Sequence, residues 1–131
     1  MRALDTNVLA RWVLGDDPVQ AKLAEAALRE PCYVSLSVMV ELGWVLGKSL
    51  NLPRATVAAM LDRVLRLDTV TAEESARLDW ALERYRAGAD WADAVHLVAT
   101  ARKAQLFITF DATLARKLGK SSPIPVDLLG R

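Results

Sequence analysis

Short apolar runs alternate along this chain with longer stretches of helical period. Met1–Leu4 predicts a strand, followed by a helix over Asn7–Leu14 that stops at Gly15-Asp16-Asp17-Pro18. Pro18 suits the first turn of the next helix, which runs to about Glu30 and ends before Pro31. Cys32–Val34 is a second short strand, and Ser37 is the expected N-cap of a helix reaching about Lys48. Pro53 opens a helix with Val57, Met60, Leu61, Val64 and Leu65 on one face. Asp68–Val70 is a third strand candidate. Ala72–Ala87 is amphipathic and ends at Gly88. Asp90 caps a helix from Trp91 to about Lys103, and Leu106–Thr109 is the clearest strand. Thr113–Leu118 is a short helix closed by Gly119, with Ile124–Val126 as a last strand.

Strands separated by helices predict an α/β fold, a three-layer α/β/α sandwich around a short parallel sheet, as one domain over residues 1–131. Open sheets of this kind place their crevice beyond the carboxyl ends of the strands. Acidic residues directly after strands therefore carry more weight than acids elsewhere.

Composition narrows the chemistry. The chain has 131 residues, 53% of them hydrophobic and 25% charged, so a largely disordered chain is excluded. One cysteine, Cys32, and one histidine, His96, exclude a disulfide framework and a zinc site rich in nitrogen or sulfur. No stretch reaches the roughly 18 apolar residues of a membrane helix, and the N-terminus lacks the apolar core of a secretory signal. The expectation is a soluble cytoplasmic protein with no membrane partner. A net charge of +1 speaks against a generic basic nucleic-acid coat, yet residues 102–131 hold six basic and two acidic side chains.

Four acids stand out by position. Asp5 ends the first strand, and Asp111 follows Phe107-Ile108-Thr109-Phe110. Either could simply cap a helix. Glu41 has Ser37, Val38, Trp44 and Val45 three and four residues away, three of them apolar, which predicts a carboxylate that is desolvated, paired or metal-bound, the alternative being an edge position whose carboxylate reaches water. Asp93 lies on a nearly all-apolar helix whose polar residues, Asp90, Asp93, His96 and Thr100, form one stripe. Several carboxylates in one cleft repel and raise each other's pKa values, a conflict that a divalent cation removes. Hard ions such as Mg²⁺ or Mn²⁺ take oxygen ligands, acidify water and neutralise charge on a phosphodiester. The chemistry inferred is metal-assisted phosphodiester hydrolysis. Phosphate-binding, dinucleotide-binding and serine-hydrolase glycine motifs are all missing from the sequence.

The ordered set Leu4-Asp5-Thr6-Asn7-Val8-Leu9, Ser37-x-x-x-Glu41-Leu42, Asp90-Trp91-Ala92-Asp93-Ala94-Val95-His96-Leu97 and Thr109-Phe110-Asp111 resembles PIN-domain ribonucleases, specifically the VapC-like toxins of type II toxin–antitoxin pairs. The resemblance implies Asp5, Glu41 and Asp93 as central metal-binding acids and Asp111 as the fourth. It implies Thr109 as a hydroxyl orienting that acid or a water, and Asn7 as shaping the first turn. Asp90 is an N-cap that could join a second metal. His96 reads as a packed helix histidine, Cys32 as a small core residue, and the four tryptophans as core or interface aromatics. Arg11 could face RNA or a partner.

The implied protein is a Mg²⁺- or Mn²⁺-dependent endoribonuclease leaving a 5′-phosphate and a 3′-hydroxyl. Its implied partners are an RNA substrate, a small antitoxin and a second copy of the chain. The apolar helices at Pro18–Glu30 and Pro53–Leu65 could supply the antitoxin's groove, or could be core. The competing reading is a non-catalytic PIN-like RNA- or protein-binding module. Four filled acid positions rank it lower.

Overall fold

A computed structural model describes residues 1–130; Arg131, counted above in the basic C-terminal excess, lies outside them. The chain divides into two compact units, residues 1–75 and 76–131. Each has its own parallel sheet.

The first unit holds β1 (Arg2–Ala3), α1 (Thr6–Leu14), α2 (Pro18–Ala27), β2 (Cys32–Val34), α3 (Leu36–Trp44), a π-helical turn (Val45–Ser49), α4 (Arg54–Leu65) and β3 (Val70–Ala72). Its strands pair in the order β1-β2-β3, with Arg2 opposite Cys32 and Cys32 opposite Val70. Asp5 caps α1, and Gly15 closes it in the left-handed conformation at φ 62°, its N–H bonded to the Arg11 carbonyl. Asp17 caps α2, with Pro18 inside the first turn as expected. Leu9, Val34, Met39, Leu42, Leu46, Val57, Leu61 and Val64 are fully buried. Cys32 is core as well, its thiol directed at the Glu30 and Ala27 carbonyls.

The second unit holds most of α5 (Ser75–Arg86), then α6 (Trp91–Thr100), β4 (Phe107–Thr109), α7 (Ala112–Leu118) and β5 (Val126–Leu128). β4 and β5 pair in parallel, Phe107 opposite Val126 and Thr109 opposite Leu128. Leu78, Ala81, Ala94, Leu97, Val98, Leu118 and Ile124 are buried.

The α/β class and the parallel pairing agree with the sequence; several boundaries do not. Ser35, not Ser37, caps α3, its hydroxyl accepting from the Val38 N–H. β3 lies two residues later than the pattern suggests, and the turn after it places Glu74 at φ 55°, so α5 begins at Ser75 and not at 72. β5 likewise lies at Val126–Leu128, because Pro125 has no N–H to give a ladder; its carbonyl instead accepts from Phe107 N–H at 2.9 Å. The continuous helix expected to Lys48 changes to π-helical pairing after Trp44, seen in the Leu50 N–H bond to the Val45 carbonyl at 2.9 Å. Among the described residues, no helix is long and apolar enough to cross a membrane.

Candidate active site

In the first unit the acids meet through one threonine. The chain leaves β1 at Leu4 and enters α1 at Thr6, so Asp5 sits at the turn and its carboxylate accepts from Thr6 N–H at 2.8 Å. Thr6 is the only buried polar residue among the described residues, 3% exposed. Its hydroxyl donates to a Glu41 carboxylate oxygen. Thr6 thus receives nothing from solvent and joins Asp5 on β1–α1 to Glu41 on α3. The sequence reading passed over it, although it is the middle residue of the Asp5-Thr6-Asn7 motif.

Glu41 itself is exposed, an edge position whose carboxylate reaches water, and it is paired through the Thr6 hydroxyl rather than desolvated. The buried face of α3 is Leu36, Met39, Leu42 and Gly43, so Glu41 and Trp44 lie outside it, with Val38 and Val45 half-buried. Asn7 is exposed, one residue past Thr6 in the first turn of α1. Beside it a groove of about 250 Å³ runs between α1 and α2, lined by Asn7, Val8, Arg11, Gln20, Leu23 and alanines of α2. Arg11 is held there by Asp16 at 2.9 Å. Val19 and Leu23 remain exposed on α2, whereas Val57, Leu61 and Val64 of α4 are core and offer no groove.

In the second unit the polar stripe on α6 is real. Trp91, Ala94, Val95, Leu97 and Val98 are buried, and Asp90, Asp93, His96 and Thr100 lie off that face. Asp90 caps α6, accepting from the Asp93 N–H at 3.0 Å. Asp111 caps α7, accepting from the Leu114 N–H at 3.0 Å. Thr109 orients that turn through its hydroxyl oxygen, which accepts from the Asp111 N–H at 2.9 Å. His96 is exposed, not packed.

The electrostatics single out Asp93. Partial burial pushes its carboxyl above the usual carboxylate value, and the negative fields of Asp90 and Asp111 push it further. His96 pulls in the opposite direction. A cap uses one carboxylate oxygen and leaves the other, with most of its lone pairs, for a cation or a water. Capping and metal binding are therefore compatible at Asp5, Asp90 and Asp111. Within neither unit, among the described residues, do three His, Cys, Asp or Glu side chains converge tightly enough to cage an ion. The donors are all hard carboxylate oxygens, the set that suits a partly hydrated Mg²⁺ or Mn²⁺ rather than zinc.

Against known proteins, a family model described as PIN domain matches residues 2–119. No curated protein and no solved structure matches the chain.

Proposed function

This chain belongs to the PIN-domain family, whose members are generally nucleases, and from that premise we propose a metal-dependent endoribonuclease acting as the toxin of a toxin–antitoxin pair. The observation that carries the reading is Asp93, a carboxyl raised by its partial burial and then by two further acids, Asp90 and Asp111. Such an arrangement is unfavourable for bare anions and favourable around a cation.

Asp5, Glu41, Asp93 and Asp111, carried by one 131-residue nuclease domain, are the proposed holders of Mg²⁺ or Mn²⁺. The ion would supply positive charge against the phosphodiester and acidify the attacking water. Thr6 holds Glu41 by its hydroxyl, and Asp5 and Asp111 are fixed by the helix turns they cap. Thr109 and Asp90 set the backbone at Asp111 and Asp93, and Asn7 shapes the first turn of α1. Water oxygen bonds to phosphorus as the P–O3′ bond breaks, the proton passes to the leaving oxygen, and a 5′-phosphate and 3′-hydroxyl result. The α1–α2 groove with exposed Val19 and Leu23 is the proposed seat of a cytoplasmic antitoxin, with a homodimer as the working assembly.

RNA cleavage measured with Mg²⁺, with EDTA, and for Asp5→Asn and Asp93→Asn tests the chemistry. Cleavage surviving chelation and both substitutions overturns it. Growth arrest on expression, relieved by a small neighbouring reading frame, tests the toxin role.

A further inference from the structure

Along the outer face of α3 and its π-helical extension, Ser37, Glu41, Trp44 and Lys48 follow one another at spacings of four, three and four residues. All four are exposed, while Met39, Leu42, Gly43 and Leu46 between them are buried. One row of a helix thus presents a carboxylate, an indole and an ammonium in line. Lys48 lies seven residues, about two helical turns, beyond Glu41, the last four of them in the π-helical turn.

The indole is conspicuous against its three counterparts. Trp91 is buried edge-on to Tyr85 at 6.0 Å. Trp12 lies 4.6 Å beneath the Arg63 guanidinium. Trp80 donates its N–H to Ser121 at 3.1 Å. Trp44 is 59% exposed, in the residue just before the π-helical turn, so it is not a core aromatic. Among the described residues, no carboxylate pairs with Lys48.

We propose that Trp44 and Lys48 form a grip for single-stranded RNA beside Glu41, the indole stacking on an unpaired base and the ammonium meeting a backbone phosphate. The inference rests on the nuclease reading for the nature of its ligand. Stacking on an aromatic face is sequence-tolerant and requires a base free of its duplex partner, and a nearby cation tracks the backbone. A stacking residue one turn from Glu41 would therefore favour unpaired segments, supplying strand selectivity that a carboxylate site alone lacks.

The test is fluorescence anisotropy of a labelled single-stranded RNA 12-mer and of a hairpin of the same length, in Mg²⁺, on full-length chain carrying Asp5→Asn to suppress turnover. Trp44→Ala is expected to weaken single-strand binding about tenfold and leave hairpin binding little changed, with Trp44→Phe retaining most of the affinity. Lys48→Gln should reduce the salt slope for the single strand by about 0.7. Unchanged single-strand affinity in Trp44→Ala, or equal losses on both RNAs, overturns the grip. So does a shift from dimer to monomer in light scattering with binding intact, which would make Trp44 a contact between copies. If wild-type chain binds RNA through Trp44 but does not cleave it, the nuclease reading falls and the grip stands.

Discussion

The two sets of acids solve the same problem differently. At Asp5 and Glu41 the carboxylates are tied to donors: a backbone N–H and the hydroxyl of buried Thr6. At Asp93 partial burial, and after it the fields of Asp90 and Asp111, force the carboxyl upward in pKa. The first set is ordered before any ligand arrives. The second carries a desolvation cost with repulsion added to it, which the proposed cation would relieve. Pre-ordered ligands lose less entropy on binding, and a repelling set makes binding depend on the ion.

Asp93→Asn breaks that comparison hardest. Cleavage should fall about 100-fold or more, the scale of removing one organised charge from a transition state. Stability should move the other way. Burial and the flanking acids raise Asp93 in the folded chain, so the folded state holds that proton more tightly than the unfolded one. The stability contributed by Asp93 is then fully present below its unfolded value of about 3.9 and is lost as pH rises through the raised folded value. At pH 7 without metal Asp93 is therefore a cost, and Asp93→Asn should raise Tm there. The gain should vanish near pH 4. Thermal melts at the two pH values check it; a lower Tm for Asp93→Asn at pH 7 would mean that the acids do not strain the second unit.

Thr6→Val probes the opposite set. It keeps shape and removes the donor to Glu41, whose carboxylate can turn to water because it is exposed. Cleavage is expected to drop roughly tenfold, the usual loss when a partner orienting a ligand is removed. The denaturation midpoint should change little, since no buried group is left without a partner. A large stability loss with full activity would make Thr6 a packing residue only.

The contrast between the two sets also shows what the sequence could convey. Local chemistry was readable: Asp90, Pro18 and Gly15 each act through their own turn of chain, and the structure has them where capping rules put them. The polar stripe on α6 was readable because the rest of that helix is apolar. The face of α3 was not. Leu36-Ser37-Val38-Met39-Val40-Glu41-Leu42-Gly43-Trp44 is apolar nearly all round, so periodicity could not choose between the Val38/Trp44 side and the Met39/Leu42 side. Packing chose the second and turned Glu41 outward. Thr6 was invisible for a related reason: its partner lies 35 residues away, and only folding brings the hydroxyl to Glu41.

The smallest expected effect is the most discriminating within the second set. Asp90 and Asp111 are both N-caps, with nearly the same bond to a backbone N–H. Asn caps a helix about as well as Asp, so Asp→Asn removes charge and keeps the turn. Asp111→Asn should hold Tm and lower cleavage, because Asp111 is a proposed metal ligand. Asp90→Asn should also hold Tm, and cleavage should stay within about twofold of wild type, since the backbone N–H of Asp93 remains bonded. Cleavage assays across a Mn²⁺ titration separate the two. If Asp90→Asn raises the Mn²⁺ concentration needed for half-maximal cleavage as strongly as Asp111→Asn does, Asp90 is no longer only a cap. Its charge beside Asp93 would then belong to the ion site, and the second set would hold three metal-facing acids against two in the first.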